Sequence, residues 1–222
     1  MIFIPIKAVF FDNNGTLEDD LHIAIGSKDE IFRAYGLDPP TDDQYRQEMT
    51  SDYMKFYYKY SMPLTVSADD VNKIRSGYYA THRSKALFRS DAKDTVIKCR
   101  ELGLKTAIVS AETDVLNERL KEEDFFDSFD IVRTKAWPKK PALVETMEKL
   151  KLVPSSVLYV DDTVEGLQSA KSVGATPVGF TNLTAYSSEV RVRKVAKFCI
   201  NNLSDLLPRL KRINGITFCQ ID

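Results

Sequence analysis

Short apolar runs alternate with stretches of helical spacing along most of the chain. Five runs predict strands, the last more weakly than the others: 2–11, 104–109, 156–160, 176–180 and 197–200. Between them, apolar residues recur at helical intervals in three stretches: 94–102, 143–150 and 164–173. Gly103 and Gly174 follow two of these helices as stop signals, and Ser204 is a candidate cap for a terminal helix. This alternation predicts an α/β fold with a Rossmann-like parallel sheet and helices on both faces.

Residues 18–87 follow a different pattern. The segment is helix-biased, rich in tyrosine and charge, and holds no strong apolar strand run. Turn signals at 36–40 and around Pro63 divide it into helical pieces. We therefore expect an α/β core built from residues 1–17 and 88–222 and an inserted α-helical cap domain over 18–87. The tyrosines of the cap suit either helix packing or a substrate platform, and the sequence leaves both open.

Composition excludes several classes of function. The chain carries 31 lysines and arginines against 32 acidic residues, so no general attraction to nucleic acid or to an anionic membrane is expected. No run approaches the roughly 18 apolar residues of a membrane span, and Pro5 and Lys7 interrupt the apolar N-terminal stretch. The three cysteines share no metal-ligand spacing, which indicates free thiols in a reducing compartment. We expect a cytoplasmic monomer or homodimer without nucleic-acid or membrane partners.

Polar residues follow directly after three of the predicted strands. They are Asp12, Ser110 and the adjacent pair Asp161 and Asp162. Because right-handed crossovers bring the carboxyl ends of parallel strands to one edge of the sheet, we expect these side chains to lie close together. The sequence therefore predicts a polar site at this edge.

Four elements in chain order resemble the motifs of the haloacid dehalogenase-like superfamily of phosphohydrolases. They are Asp12-x-Asn14-Gly15-Thr16, Ser110, Lys140-Pro141, and Asp161-Asp162 within VLYVDDTVEGLQSAKSVGA (157–175). Each element alone occurs by chance, but four in order, three of them at strand ends, are specific together. The resemblance covers nearly the whole chain, and the insertion over 18–87 is similar to the helical cap of this family.

The resemblance implies a Mg²⁺-dependent phosphohydrolase or phosphotransferase that acts on a small phosphorylated metabolite. Asp12 would be the nucleophile and would form an aspartyl-phosphate intermediate. A divalent cation is needed because a carboxylate and a phosphate dianion repel each other, and Mg²⁺ prefers oxygen ligands of this kind. Its ligands would be Asp12, the backbone carbonyl of Asn14 and Asp162, with Asp161 a ligand or a neighbour of one.

The same resemblance assigns the groups that bind phosphate. Lys140 would offset the charge of the phosphate and take part in catalysis, although Lys139 competes for this position. The hydroxyl groups of Ser110 and Thr16, together with the backbone at Ala111, would bind phosphate oxygens.

Asn14 departs from the pattern of the family. Most phosphatases of the family carry a second aspartate at this position, which protonates the leaving oxygen. An amide cannot transfer a proton, and general acid–base catalysis typically raises a reaction rate by about 10²–10⁴-fold. Three explanations stay open. The chain is an enzyme for substrates with good leaving groups, such as acyl or aryl phosphates, or it is a phosphate-binding or regulatory protein with weak turnover. Alternatively, Asn14 is an introduced substitution. A phosphonate-cleaving activity is a further alternative, in which Lys28 or Lys55 would form a Schiff base.

Overall fold

The structure, a computed structural model, describes residues 4–50 and 52–215. Six parallel strands form its central sheet: β1 (Ala8–Phe11), β4 (Lys105–Val109), β5 (Ile131–Arg133), β6 (Val157–Asp161), β7 (Thr176–Phe180) and β8 (Phe198–Ile200). Their spatial order is β5-β4-β1-β6-β7-β8. Two further strands, β2 (Glu18–Asp19) and β3 (Leu87–Phe88), pair as an antiparallel ribbon. The predicted parallel α/β sheet is confirmed.

Helices surround the sheet and fill the long segment between β2 and β3. That segment holds four of them: α1 (Leu21–Ala34), α2 (Asp42–Glu48), α3 (Tyr53–Lys59) and α4 (Ala68–His82). The others lie around the sheet: α5 (Ala92–Glu101), α6 (Val115–Glu122), α7 (Lys139–Lys149), α8 (Val164–Ser172), α9 (Glu189–Arg193) and α10 (Leu206–Ile213). No helix among the described residues is long and apolar enough to cross a membrane.

The central strands are covered on both faces, which explains their continuous apolar sequences. Every residue of β1 and β6 is buried. One face packs into a cluster that includes Val9 and Phe11, and the other into a cluster that includes Phe10 and Tyr159. Phe11 pairs with Ile108 of β4 on one side and with Val160 of β6 on the other. The three strands therefore end within about a residue of one another, at the edge where polar residues follow.

Helices α1–α4 enclose a hydrophobic core of their own. Phe32, Phe56 and Tyr57 are buried at its centre, and the rings of Phe32 and Tyr57 are 5.4 Å apart. Thr41 and Ser67 begin α2 and α4 with reciprocal capping boxes, which satisfy backbone N–H groups at each helix start. Helices α1–α4 therefore pack around a hydrophobic cluster of their own, and the strands of the β2–β3 ribbon lie on either side of them in sequence.

The structure corrects several predicted boundaries. The first strand begins at Ala8, whereas the prediction extended to residue 2, and residues 2 and 3 lie outside the described residues. The terminal helix α10 begins at Leu206 after a short 3-10 turn that Asn202 caps, so Ser204 is not its cap. Cys99 and Cys199 form no disulfide, while Cys219 lies outside the described residues.

Candidate active site

Three aspartates meet at the carboxyl edge of the sheet. Asp12 follows β1, Asp161 is the last residue of β6, and Asp162 follows it. Each offers a carboxylate oxygen within 4.8 Å of the others, and at most 5% of any of these residues is exposed. We call these three residues the carboxylate cluster. Burial of three like charges is costly unless cations compensate them.

One of those cations is the ammonium group of Lys139. Its Nζ lies 2.8 Å from Oδ2 of Asp12 and donates a hydrogen bond to Oδ2 of Asp161 at 2.7 Å. Lys140, which we expected at this position, is exposed. Lys139 therefore replaces Lys140 as the lysine of the site.

Helix geometry explains this correction. The buried face of α7 consists of residues at helical spacing: Lys139, Ala142, Leu143, Thr146 and Met147. Lys139 lies on that apolar stripe, three positions before Ala142, whereas Lys140 is turned away from it. The spacing of the apolar residues, projected back to the start of the helix, was the signal that selects Lys139.

The environment shifts the protonation equilibria of the cluster. Burial raises the pKa of Asp12 to about 6; the Lys139 ammonium opposes this shift and the charge of Asp161 adds to it. Burial, with the charges of Asp161 and Asp12, also holds the pKa of Asp162 well above its usual range. Burial alone would lower the pKa of Lys139, but the two carboxylates outweigh it and the pKa is raised. Lys139 is therefore positively charged at neutral pH.

The charges and the unused oxygen of the cluster fit a divalent cation. When all three carboxyl groups are ionised and Lys139 is protonated, the cluster carries a charge of −2, which one dication would neutralise. Oδ1 of Asp12 is buried and has no hydrogen-bond partner among the described residues. An unpartnered buried carboxylate oxygen is costly, and hard cations such as Mg²⁺ and Ca²⁺ take oxygen ligands of this type. Asp12, Asp161 and Asp162 could therefore hold a metal ion.

The turn after β1 fixes the orientation of Asp162. The hydroxyl of Thr16 donates to Oδ1 of Asp162 at 3.2 Å, and the backbone N–H of Tyr186 donates to Oδ2 at 2.5 Å. Thr16 is fully buried, so its hydroxyl positions a carboxylate; the expectation that it would bind phosphate is not what its contacts indicate. Gly15 has φ +75°, and a Cβ there would clash with the Asp162 carboxylate and the Tyr186 ring. Only glycine fits this turn.

The side chain of Asn14 lies between two acidic residues. Its Nδ2 donates to Oδ2 of Asp20 at 2.7 Å and to Oε2 of Glu112 at 3.2 Å, and its Oδ1 accepts from the Ser110 hydroxyl at 3.4 Å. Burial raises the pKa of Asp20, although the hydrogen bonds from Asn14 and Tyr186 act against the shift. An amide can donate to both carboxylates at once, whereas an ionised aspartate at this position would repel them. The local structure thus suits asparagine.

Sequence reasoning missed the residues that surround Asn14. Asp20 lies in the acidic run that follows the first motif, and Glu112 lies two residues after Ser110, so their nearness to motif residues was the available signal. Arg83 joins them: its guanidinium lies 2.6 Å from Glu112, 3.0 Å from Glu18 and 3.6 Å from Asp20. This network connects the end of the helical segment to the loop after β4.

The remaining predicted residues divide into those at the site and those outside it. Ser110 is buried at the end of β4, where its oxygen also accepts from the Glu112 N–H at 3.2 Å, and Ala111 next to it is exposed. Lys28 is buried inside the helical segment, 2.5 Å from the Pro40 carbonyl oxygen, and Lys55 points into solvent. The described partners of Lys28 and Lys55 are outside the carboxylate cluster, so the structure adds no support for a Schiff-base lysine.

The sequence of the chain is similar to those of known proteins. The family model described as haloacid dehalogenase-like hydrolase matches residues 9–180. A phosphoglycolate phosphatase of Vibrio parahaemolyticus is 24% identical over 218 residues, which cover 91% of this chain and 95% of that protein. A phosphoglycolate phosphatase of Vibrio vulnificus is 25% identical over 191 residues, covering 79% of this chain and 84% of the relative.

Solved structures share the fold. A haloacid dehalogenase-like protein of unknown function from Agrobacterium tumefaciens superposes with a TM-score of 0.77 at 20% identity, over 94% of this chain and 99% of that one. A family hydrolase from Deinococcus radiodurans, solved with bound phosphate and sodium, gives a TM-score of 0.74 at 18% identity, over 96% and 98% of the two chains.

Proposed function

Because the chain belongs to the haloacid dehalogenase-like hydrolase family, we propose that it is a metal-dependent phosphatase that transfers the phosphoryl group of a small substrate to Asp12. The observation that carries this proposal is the buried carboxylate cluster with Lys139 against it. The phosphatases among its relatives make 2-phosphoglycolate one substrate to assay.

The metal in this proposal is Mg²⁺. Asp12, Asp162 and the backbone carbonyl of Asn14 would hold it, with Asp161 a ligand or a neighbour of one. When bound, the cation offsets the repulsion between carboxylate and phosphate and stabilises charge on the phosphoryl oxygens. Thr16 and the Tyr186 N–H hold Asp162 in place for that purpose.

The reaction then takes place in two steps at Asp12. An oxygen of Asp12 attacks phosphorus, the bond from phosphorus to the leaving oxygen breaks, and an aspartyl phosphate forms. Water then attacks phosphorus, which releases inorganic phosphate and restores the Asp12 carboxylate. Lys139 is charged and fixed beside Asp12, so it attracts the phosphate and stabilises charge in both transition states. The Ser110 hydroxyl and the backbone at Ala111 complete the phosphate site.

Residues 18–87 act in this proposal as a cap that excludes water from the site. Its α2 helix docks on the loop after β7: Arg46 donates to the Ala185 carbonyl at 2.9 Å, and the Ser188 N–H donates to the Arg46 carbonyl at 3.0 Å. Tyr186 of that loop lies 3.4 Å from the Tyr79 hydroxyl of α4. These contacts support a cap that lies over the carboxylate cluster.

Asn14 favours a second candidate, a phosphate-binding or regulatory protein with impaired turnover. It lacks a transferable proton at the position where general acid–base catalysis would act. This candidate shares the site and the ligand class but predicts binding of phosphate without repeated turnover.

The test is release of inorganic phosphate from phenyl phosphate, acetyl phosphate and 2-phosphoglycolate in the presence of Mg²⁺. Asp12→Ala is compared with the wild type, and Asp38→Asn is the matched control because Asp38 is exposed in the loop after α1. We expect multiple turnovers that Asp12→Ala abolishes and Asp38→Asn leaves unchanged. Equal rates for wild type and Asp12→Ala would overturn the proposal, and phosphate binding without turnover would establish the second candidate.

A further inference from the structure

A small cavity of about 190 Å³ lies between the cap and the carboxyl edge of the sheet. Tyr45 and Met49 of the cap form one wall, and Trp137 and Tyr186 of the core form the other. A dry cavity of about 150 Å³ is sufficient to hold benzene, so this space accommodates one six-membered ring. Its size and aromatic walls fit a flat ring better than a short aliphatic acid.

The core wall of the cavity is continuous with the carboxylate cluster. Thr163, which lines the cavity, donates its N–H to Oδ1 of Asp161 at 2.7 Å. The backbone of Tyr186 holds Asp162, and its hydroxyl donates to Asp20 at 3.0 Å. Trp137 stands two residues before Lys139. A phosphate at Asp12 would therefore place its substituent beside this cavity.

The charges around the cavity do not suit a carboxylate ligand. The described residues that line it include no lysine or arginine. Arg46 lies nearby in sequence, but its guanidinium donates to the Ala185 and Asn182 carbonyls. A glycolate group would need a cation to replace its hydration, and the cavity offers none.

Asn14 points independently to the same class of leaving group. A phenol has a pKa of about 10, as in tyrosine, whereas water lies at about 15.7 and aliphatic alcohols lie near it. A phenolate can therefore leave without receiving a proton in the transition state, while an alkoxide needs an acid that Asn14 cannot provide.

We propose that the substrates of this enzyme are aryl monophosphates, with the ring seated between Tyr45, Met49, Trp137 and Tyr186. This inference rests on the proposed phosphatase function. An oxygen of Asp12 bonds to phosphorus as the bond from phosphorus to the phenolic oxygen breaks; the phenolate departs with that electron pair and takes its proton from water. Hydrolysis of the aspartyl phosphate then releases inorganic phosphate.

Four substrates separate the effect of the ring from that of the leaving group. Phenyl phosphate has both a ring and a good leaving group, benzyl phosphate has the ring only, acetyl phosphate has the good leaving group only, and 2-phosphoglycolate has neither. We expect kcat/KM to be highest for phenyl phosphate and lowest for 2-phosphoglycolate. Equal or higher kcat/KM for 2-phosphoglycolate or acetyl phosphate overturns the inference. Absence of Asp12-dependent release from all four substrates overturns instead the proposed phosphatase function.

Two cavity variants test where the ring binds. Trp137→Ala and Met49→Ala remove side chains from opposite walls. Each should lower kcat/KM for phenyl phosphate by about tenfold, which is the size of effect expected when part of an aromatic ring loses its apolar contacts. The same variants should leave kcat/KM for acetyl phosphate within about threefold, which also shows that they fold. Leu64→Ala is the control, because Leu64 is 82% exposed in the cap. An equal loss on both substrates, or no loss on either, places the ring elsewhere and overturns the assignment.

Discussion

The position of Lys139 and the contacts of Asn14 were harder to predict from the sequence than the three aspartates of the carboxylate cluster. Asp12, Asp161 and Asp162 could be predicted together because each follows a buried strand, and parallel strands end at one edge. The choice between Lys139 and Lys140 depends on a rotation of about 100° per residue around α7, which only the apolar stripe of that helix records. The partners of Asn14 are Asp20, six positions further along the chain, and Glu112 in the loop after β4. Both lie next to motif residues, but the contact of Glu112 with Asn14 spans 98 positions and no local spacing records it.

Lys139→Met should inactivate the enzyme, while Lys140→Met should not. Removal of a charged donor that stabilises the transition state typically lowers kcat by about 10²–10³-fold. Lys139 contacts Asp12 and Asp161, whereas Lys140 is exposed. Steady-state phosphate release from phenyl phosphate measures both variants, with thermal unfolding to confirm that each is folded. Similar losses in the two variants would refute the placement of Lys139.

Asn14→Asp should act selectively on poor leaving groups. The new carboxyl group would lie near Asp20 and Glu112, whose charges favour its protonated form and so make it a proton donor. We expect kcat/KM for benzyl phosphate to rise by about tenfold or more, within the range of general acid catalysis, and that for phenyl phosphate to change little. Asn14→Ala provides the control, since it removes the amide without adding an acid. A uniform gain across both substrates would contradict this account.

The short elements on either side of helices α1–α4 carry buried charge. Glu18 in β2 is fully buried and pairs with the guanidinium groups of Arg83, which follows α4, and of Arg119 in α6. Burial raises the pKa of Glu18, and the two arginines oppose the shift. The ribbon formed by β2 and β3 could not be predicted, because strands of two residues have no periodicity to detect. β5 and α6 were missed for a related reason: both are short, and β5 is only half-buried.

Glu18→Gln should destabilise the protein far more than Asp19→Asn, its neighbour in β2. Breaking a buried ion pair costs about 3–5 kcal/mol, because it leaves an uncompensated charge. Asp19 is 38% exposed at its side chain and lies 3.5 Å from Arg89, so its loss should cost less than about 1 kcal/mol. Urea unfolding at neutral pH gives both free energies. Equal values would show that the buried ion pairs do not stabilise the β2–β3 ribbon.

At the scale of the whole molecule, the sheet and the loop after β7 meet at the carboxylate cluster, and helices α2 and α4 contact that loop. The fold could be predicted from strands that are buried on both faces. The contacts between helices α1–α4 and the loop after β7 could not, because Arg46 and Tyr186 meet partners far away in sequence. The excess of buried carboxyl groups over cations at the cluster is the feature that would couple the stability of the fold to a bound cation.

Stability should therefore respond to Mg²⁺ and pH together. Because the pKa of Asp12 is about 6 when folded and 3.8 in its ordinary state, the folded metal-free protein binds this proton more tightly, and that stabilisation is lost as pH rises from 3.8 to about 6. In EDTA, the free energy of unfolding of the wild type should fall relative to that of Asp12→Asn over this range.

Mg²⁺ at a hundredfold excess over its Kd should add about 2.7 kcal/mol to the free energy of unfolding at neutral pH. Thermal unfolding measures both effects, and an equal Mg²⁺ response in Asp162→Asn would contradict the assigned ligands.

The most direct test of the account is chemical identification of the phosphorylated residue. The enzyme is mixed with phenyl phosphate and Mg²⁺, quenched in acid, and treated with borohydride, which reduces an acyl phosphate to the alcohol. Mass spectrometry of the peptide that spans β1 should then find homoserine in place of Asp12, and Asp12→Asn should give no such product. Release of phosphate without reduction at Asp12, or reduction at another carboxylate, would contradict the central claim.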